Sequence, residues 1–211
     1  MDMENATKNW EQMTYPFFNI KLNYNLGALS PFIDEKTMRV HYGEILQNYI
    51  SNLNQILEQR LDLQKLTLTE LIDCATKNQE QDLLRYAGGV YNHFFYFTEL
   101  RPATGQIVIG ITPQATQQIT NTFGGWKNFK EKFTESALSV FGSGYTWLIR
   151  NDQKELEIRN TSNQGVPQDG TPILCLDVWE HAYFLKYLDK RQGYIDAFWN
   201  NVDWVKFSER I

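Results

Sequence analysis

Cysteine is scarce in this chain, which has two in 211 residues. Cys74 and Cys175 are far apart and form no CxxC pair, so they lack the spacing of a sulfur-rich zinc site or a dithiol redox centre. We expect both to be buried free thiols. Unpaired cysteines are typical of proteins that work in a reducing compartment.

Long apolar runs are also absent, and none approaches the roughly 18 residues that a membrane span requires. The first residues carry Asp2, Glu4 and Glu11 and no arginine. They show neither the positive segment and apolar core of a signal peptide nor the basic character of a transit peptide. We therefore expect a soluble cytoplasmic protein with no membrane partner.

Positive charge is not in excess, because 20 Lys and Arg stand against 25 Asp and Glu, a net charge of -5. Nucleic acid is not an expected partner, since phosphate binding needs a concentrated basic surface. A small anionic substrate remains compatible, because a local positive channel can exist on an acidic surface. A hydrophobic content of 42% indicates a folded chain with a substantial core.

Histidine is equally rare, with three in the whole chain, and each lies in an aromatic or apolar setting. His41 precedes Tyr42, His93 precedes two phenylalanines, and His181 follows Trp179. The stretch DVWEHAY places Asp177 four residues before His181, just after an apolar run short enough for a buried strand. The three histidines and Asp177 would form a mononuclear site of nitrogen and oxygen ligands, which suits iron or manganese and leaves room for zinc. A helix-capping carboxylate and core histidines are the alternative interpretation.

Helical periodicity and turn signals divide the chain into a helical half and a mixed half. The predicted helices cover 34–59, a short segment from the capping box Thr67–Glu70, 79–100, 113–123, 126–139, and 182–211 with an interruption at Gly193. The predicted strands are 145–149, 155–159 and 172–176, and three strands after a helical pair suggest α+β with a small antiparallel sheet. We predict a polar N-terminal extension over 1–16, a first domain over 17–102 and a second over 103–211.

Two glycines lie inside the predicted third long helix, one turn before His93. Gly88 and Gly89 each cost about 1 kcal/mol against alanine in a helix. Such a pair indicates that another element packs closely there, or else a local break in the helix. In the first helix, Tyr49 lies two turns beyond His41 on the same face.

The chain resembles the iron/manganese superoxide dismutase family over nearly everything from Phe18 to Lys206. The resemblance is carried by TMRVHYGEILQNYISNLN (37–54), AGGVYNHFFYF (87–97), FGSGYTWL (141–148), NQGVP (163–167), DVWEHAYFLKY (177–187) and GYIDAFWNNVDW (193–204). It implies an N-terminal helical hairpin followed by an α/β half with a three-stranded antiparallel sheet. The family's metal ligands fall on His41, His93, Asp177 and His181, with one manganese or iron ion per chain.

The activity that the resemblance implies is disproportionation of superoxide to oxygen and hydrogen peroxide. Gln164 matches the amide that hydrogen-bonds the metal's solvent ligand in manganese-type members, whereas iron-type members usually supply it from the helix position that is Gly89 here. Manganese is therefore favoured. Tyr49 matches the gateway tyrosine of the family. An ordinary loop amide and a core aromatic are the alternatives for these two residues.

The resemblance also implies a homodimer, with Glu180 and Tyr183 at the interface. Glu180 matches the glutamate that reaches the partner's last histidine ligand. Lys190 and Arg191 match a basic pair near the substrate funnel, although a solvated helix end explains such charges equally well.

Several positions depart from the family pattern. Ile45 replaces a histidine that bridges to the partner's tyrosine, Glu44 replaces a common lysine, and Phe97 and Tyr145 replace tryptophans around the metal. We expect a working dismutase with altered tuning. The alternatives are a metal-binding or structural homologue with weak or no turnover, and a different mononuclear oxygen-handling enzyme.

Overall fold

The computed structural model describes residues 9–103 and 110–211. The helices are α1 (Glu35–Met38), α2 (Leu46–Glu58), α3 (Leu68–Asn78), α4 (Gln81–Thr98), α5 (Pro113–Phe123), α6 (Trp126–Ser139), α7 (Glu180–Tyr187), α8 (Arg191–Phe198) and α9 (Trp204–Arg210). The predicted fold class is confirmed: a helical hairpin precedes an α/β half with a three-stranded antiparallel sheet.

Local signals in the sequence explain where several helices begin and where α5 ends. The Asp34 side chain accepts a hydrogen bond from Thr37 N at 2.8 Å and caps α1. Thr67 and Glu70 form the predicted capping box of α3. Pro113 opens α5, and Gly124 ends it in the left-handed conformation at φ 79°.

The predicted helix over 34–59 is not a regular α-helix throughout. A π-helical segment, Arg39–Ile45, joins α1 to α2, and Leu46 N donates to the carbonyl of His41 five residues earlier. The apolar residues keep their three- and four-residue spacing through this segment, so periodicity alone does not reveal the wider turn. The π-helical segment carries His41.

The hairpin buries one face of α2 against α4. That face of α2 presents Leu46, Ile50, Leu53 and Leu57. The N-terminal arm is tied to the same helix, because Asn54 bonds both the N–H and the carbonyl of Phe17 at 2.8 Å. Within the predicted extension, residues 1–8 lie outside the described residues, and Trp10 packs edge-on against Tyr91 of α4 at 5.3 Å.

The sheet places the end of its third strand beside the hairpin. Its strands are β1 (Gly144–Asn151), β2 (Leu156–Ser162) and β3 (Gly170–Asp177), in the order β2-β1-β3 with both pairings antiparallel. Tyr145 on the central strand pairs with Asp177, and β1 is buried over its first six residues. The candidate ligand Asp177 therefore lies beside Tyr145 where β3 ends.

The prediction of one C-terminal helix interrupted at Gly193 is wrong. Gly193 lies inside α8, and the chain breaks instead between α7 and α8 and between α8 and α9. Leu188 ends α7 at φ 52°, and the Asp203 side chain caps α9. A single glycine costs a helix only about 1 kcal/mol, which neighbouring packing can offset.

The two cysteines are unpaired. Cys175 is buried as expected, whereas Cys74 is only half-buried, so the prediction of two buried thiols is wrong for Cys74. Asn78, one turn later, covers part of the Cys74 sulfur at 3.3 Å. In the part of the chain that the structure describes, no helix combines the length and apolar character that crossing a bilayer needs.

Candidate metal centre

Four side chains from four elements meet between the hairpin and the sheet. His41 comes from the π-helical segment, His93 from α4, Asp177 from the end of β3 and His181 from the first turn of α7. One ligand atom of each lies within 4.8 Å of the other three. His41, His93 and Asp177 are fully buried, and the His181 side chain is 14% exposed. These are the four ligands that the sequence predicts.

Hydrogen bonding fixes the ring of His93. Its Nδ1 donates to the Gly89 carbonyl at 2.6 Å, so Nε2 is the nitrogen left to bind. This Nε2 and both ring nitrogens of His41 are buried and make no well-aligned hydrogen bond, although His41 Nε2 lies 3.2 Å from Asp177 Oδ2. Buried polar atoms are rarely left unsatisfied, and a metal ion would provide the missing partner. The residues present therefore fit a metal.

The Asp177 carboxylate is also held in place. Its Oδ1 accepts from Trp179 N at 2.8 Å, while Oδ2 lies 3.2 Å from His41 Nε2 and 3.4 Å from His181 Nε2. The backbone carbonyl of Asp177 accepts from the Tyr194 hydroxyl at 2.9 Å. One carboxylate oxygen thus holds the turn into α7, and the other faces the histidines.

Burial sets the protonation of the cluster. It lowers the pKa of His41 to about 4 and that of His93 to about 3. Burial alone would raise the pKa of Asp177, but His181 and His41 together hold it below its ordinary value. His41 and His93 are therefore neutral imidazoles and Asp177 is an ionised carboxylate, the forms in which these groups bind metals.

Gln164 lies beside the cluster with its amide fully engaged. Its Oε1 accepts from the Tyr145 hydroxyl at 3.0 Å and from Asn92 Nδ2 at 3.2 Å, and its Nε2 donates to the Tyr49 hydroxyl at 2.9 Å. The ring of Tyr49 lies 5.3 Å from that of His93. Since two donors occupy Oε1, the amide nitrogen must face Tyr49 and the second N–H remains available.

The two glycines of α4 make this arrangement possible, and the helix runs through them without a break. A side-chain carbon at Gly88 would overlap the backbone carbonyl of Gln164, and one at Gly89 would overlap the ring of Tyr49. The prediction of close packing at this pair is confirmed.

Aromatic rings enclose the histidines. Phe97 meets His41 edge-on at 4.8 Å, Trp179 stacks on His181 at 5.3 Å, and Tyr145 meets His93 edge-on at 6.5 Å. Phe97 and Tyr145, which depart from the family pattern, thus lie directly against the proposed ligands.

An open cavity of about 410 Å³ lies beside this cluster. Tyr49, Gln164 and Trp179 line it, and the first turns of α4 contribute Gln81, Leu84 and Arg85. The rings of two lining residues, Tyr49 and Trp179, lie against His93 and His181, so these side chains stand between the cavity and the candidate ligands.

The other residues singled out from the sequence lie outside this cavity. Glu180 is about half exposed and accepts from Ser143 Oγ at 3.2 Å. Tyr183 is buried, and its hydroxyl accepts from Arg191 Nε at 3.1 Å. Arg191 also donates to the Val140 carbonyl at 2.7 Å. Its guanidinium therefore holds a loop of its own chain instead of facing the cavity.

Three contributors were missed in the sequence. Asn92 and the Tyr145 hydroxyl orient Gln164, and this pairing across elements leaves no local signal. For Arg85 the sequence does contain a local signal. Arg85, Gly89 and His93 follow each other at four-residue spacing, which places them on one face of a helix.

The fold and the site together define a mononuclear metal enzyme built from a helical hairpin and an α/β half. Family models of the iron/manganese superoxide dismutases match both halves, the alpha-hairpin domain over residues 16–101 and the C-terminal domain over residues 111–210. The chain belongs to the iron/manganese superoxide dismutase family and is therefore an oxidoreductase that acts on superoxide.

Similar proteins differ in the metal that their names give. The manganese superoxide dismutase of Acinetobacter baylyi is 40% identical over 202 residues, which are 92% of this chain and 86% of its own. The iron superoxide dismutase of Escherichia coli K12 is 39% identical over 185 residues, 87% of this chain and 92% of its own. The Mn/Fe superoxide dismutase of Rickettsia prowazekii is 37% identical over 200 residues, 94% of each chain.

Proposed function

We propose that His41, His93, Asp177 and His181 hold one manganese or iron ion, at which superoxide is disproportionated. The observation that carries this assignment is the convergence of four ligand atoms within 4.8 Å, three of them on buried residues, with histidine nitrogens that make no hydrogen bond. When bound, the ion supplies the one-electron exchange by which two superoxide anions and two protons become dioxygen and hydrogen peroxide.

Gln164 and Tyr49 control the proton side of this reaction. The Tyr49 hydroxyl accepts from Gln164 Nε2, so its own proton is free to be donated toward the inner end of the cavity. The Gln164 amide, held by Tyr145 and Asn92, points its remaining N–H in a fixed direction. A neighbour that orients a metal's ligands in this way tunes the metal.

Manganese is the metal that we favour. The amide beside the cluster is that of Gln164, from the segment after β2, and Gly89 on α4 offers no side chain there. This arrangement supports the manganese type, on the family resemblance that assigns the helix position to iron-type members.

The test is direct superoxide decay, followed by stopped flow with protein loaded separately with manganese and with iron and with metal content measured on the same samples. We expect fast decay with manganese and slower decay with iron. Gln164→Ala, which leaves all four ligands in place, should keep its metal and lose most of the decay. Full metal occupancy without decay under either loading would instead indicate a metal-binding homologue without turnover.

We also propose a homodimer whose contact surface includes Glu180. Phe141 is fully exposed and Phe184 is half exposed. Phe141 lies two residues before Ser143 and Phe184 lies one turn after Glu180, and Ser143 donates a hydrogen bond to Glu180. Large exposed apolar side chains around a polar contact are typical of an interface between protein chains. The Tyr183 hydroxyl is bound within its own chain, so the exposed Phe184 is the better interface candidate on α7.

Sedimentation velocity tests this surface. Phe141→Ser should shift the protein from dimer toward monomer. Leu61→Ser, which changes a different exposed apolar residue, should leave the dimer intact. An unchanged dimer in Phe141→Ser would place the interface elsewhere.

Ile45 is half-exposed, and Ile45→His restores the bridging histidine that the family has at this position. This change should alter dimer stability or turnover.

Two further assignments remain our inference. A cytoplasmic setting is supported by the two unpaired cysteines. The division into an extension over 1–16 and domains over 17–102 and 103–211 is supported by the change from helices alone to helices and sheet. Cell fractionation tests the first, and limited proteolysis near residue 102 tests the second.

A further inference from the structure

One face of α4 runs from solvent to the metal centre. Arg85, Gly89 and His93 follow each other at four-residue spacing on that face. At 1.5 Å per residue, Arg85 lies about 12 Å along the axis from the proposed ligand His93. Gly89 presents no side chain between them and faces the Tyr49 ring instead.

Arg85 is a positively charged residue in the wall of the cavity beside this centre. Among the described residues that line the cavity, it is the one charged side chain. The field of Arg85 reaches Tyr49, which also lines the cavity. Burial raises the pKa of Tyr49, and the positive charge of Arg85 opposes that rise. The substrate is an anion, so a cation at this position acts on its approach.

The basic pair expected from the sequence does not have this position. The guanidinium of Arg191 donates hydrogen bonds to the Val140 and Gly142 carbonyls and to the Tyr183 hydroxyl. Among the described residues, neither Arg191 nor Lys190 lines the cavity. Glu44, where the family commonly has a lysine, is exposed and negative.

We propose that Arg85 is the residue that attracts superoxide into the cavity and that its neighbour Asp82 moderates this attraction. Asp82 lies three residues earlier on α4, and its carboxylate is 3.1 Å from the guanidinium of Arg85. The side chains are 58% and 72% exposed, so the pair is loose and screened by solvent. The inference rests on the proposed dismutase function and names the charge that serves it.

The test compares this pair with a matched pair elsewhere. Lys127 and Glu131 form a similar exposed pair on α6 at 3.7 Å, away from the cavity. Arg85→Gln and Lys127→Gln each remove one positive charge, while Asp82→Asn and Glu131→Gln each remove one negative charge. Metal-loaded proteins are assayed for kcat/KM with superoxide between about 0.01 and 0.5 M ionic strength, where the screening length falls from about 30 Å to a few Å.

We expect Arg85→Gln to lower kcat/KM about two- to fourfold at the lowest ionic strength and Asp82→Asn to raise it about twofold, with both differences vanishing at high salt. The two α6 variants should match wild type. Azide, titrated spectroscopically, gives a readout without turnover, and its dissociation constant should weaken in Arg85→Gln by a similar factor.

The outcomes separate this inference from the function on which it rests. Normal wild-type decay with equal salt curves and equal azide binding for Arg85→Gln and Lys127→Gln would overturn the role of Arg85. Wild-type protein with full metal content and no decay would overturn the dismutase assignment, and the azide titration would still decide whether Arg85 attracts anions.

Discussion

At the scale of single residues, the site depends on which way one amide points. Gln164 has a single carbonyl oxygen, and two donors hold it: Tyr145 from β1 and Asn92 from α4. A flipped amide would set its NH2 group against the NH2 group of Asn92, which cannot accept, and would lose that hydrogen bond. The two elements therefore jointly fix the N–H that faces Tyr49.

Replacing Tyr145 by phenylalanine tests this arrangement. The ring is fully buried, so Tyr145→Phe keeps the packing and removes one of the two donors. We expect a loss of stability of about 1 kcal/mol and turnover lower by about tenfold, the low end for groups that support metal ligands. Stopped-flow decay and metal content measure the effect. Tyr187→Phe, which removes a hydroxyl bonded to the Phe32 carbonyl, is the control, and equal turnover in both variants would contradict the prediction.

Two glycine-to-alanine changes should have opposite effects on the stability of the fold. The added carbon in Gly89→Ala overlaps the ring of Tyr49 and must displace it, which costs about 1–3 kcal/mol by overpacking and should lower turnover. Gly43→Ala adds a carbon with no atom within 4 Å, so it should stabilise by up to about 1 kcal/mol. Urea unfolding of both variants measures the difference. A destabilised Gly43→Ala with a stable Gly89→Ala would reverse our account of the close approach.

At the scale of elements, the junction of α4, β3 and α9 contains a buried carboxyl group. Glu99 follows α4 directly and accepts from Cys175 N at 3.0 and 3.1 Å. Arg210 of α9 lies 3.5 Å away. Burial raises the pKa of Glu99 well above its ordinary value, and the charge of Arg210 opposes this only in part. The folded protein therefore favours the protonated carboxyl, because the cost of burying its charge outweighs the contacts with Cys175 N and Arg210.

A pH dependence of stability follows from that junction. The pKa of Glu99 is higher in the folded state than in the unfolded state. The stabilisation that Glu99 gives the folded state is therefore complete below the unfolded pKa of about 4.3 and is lost as pH rises. Glu99→Gln imitates the protonated form, so its stability relative to wild type should increase from pH 4.5 to pH 8. Urea unfolding of the metal-free proteins measures this.

Glu70 provides the control of opposite sign. Backbone and hydroxyl hydrogen bonds from Thr67 lower the pKa of Glu70, so its contribution is present above the unfolded pKa and lost as pH falls. Glu70→Gln should therefore lose stability relative to wild type as pH rises. Parallel trends in Glu70→Gln and Glu99→Gln would refute the assignment for Glu99.

The same elements show what a sequence can predict. Thr67 and Pro113 act on their own backbone, so the starts of α3 and α5 were predictable. The four candidate ligands were found because histidine is rare and DVWEHAY is distinctive. The π-helical segment, the breaks around α8 and the partners of Arg191 depend on contacts between distant elements, which periodicity does not contain.

At the scale of the whole molecule, the proposed metal centre joins the two halves. His41 and His93 belong to the helical hairpin, and Asp177 and His181 belong to the α/β half. Without an ion, the buried ring nitrogens His41 Nδ1, His41 Nε2 and His93 Nε2 make no hydrogen bond, so burying them where the halves meet carries an uncompensated cost in free energy. The ion should therefore stabilise the molecule as well as serve its chemistry.

Metal removal tests this coupling. A ligand at about a thousand times its dissociation constant stabilises the folded state by about 4 kcal/mol. In a chain of this length each kcal/mol shifts Tm by about 2–4 °C. Chelated protein should thus melt about 8–16 °C below the metal-loaded form, and reloading with manganese should restore Tm. His181→Ala, which retains the buried histidines but loses one ligand, should show a much smaller difference between loaded and chelated samples. Equal Tm values for loaded and metal-free wild type would mean that the halves hold together without the ion, and that the orphaned nitrogens are satisfied in some other way.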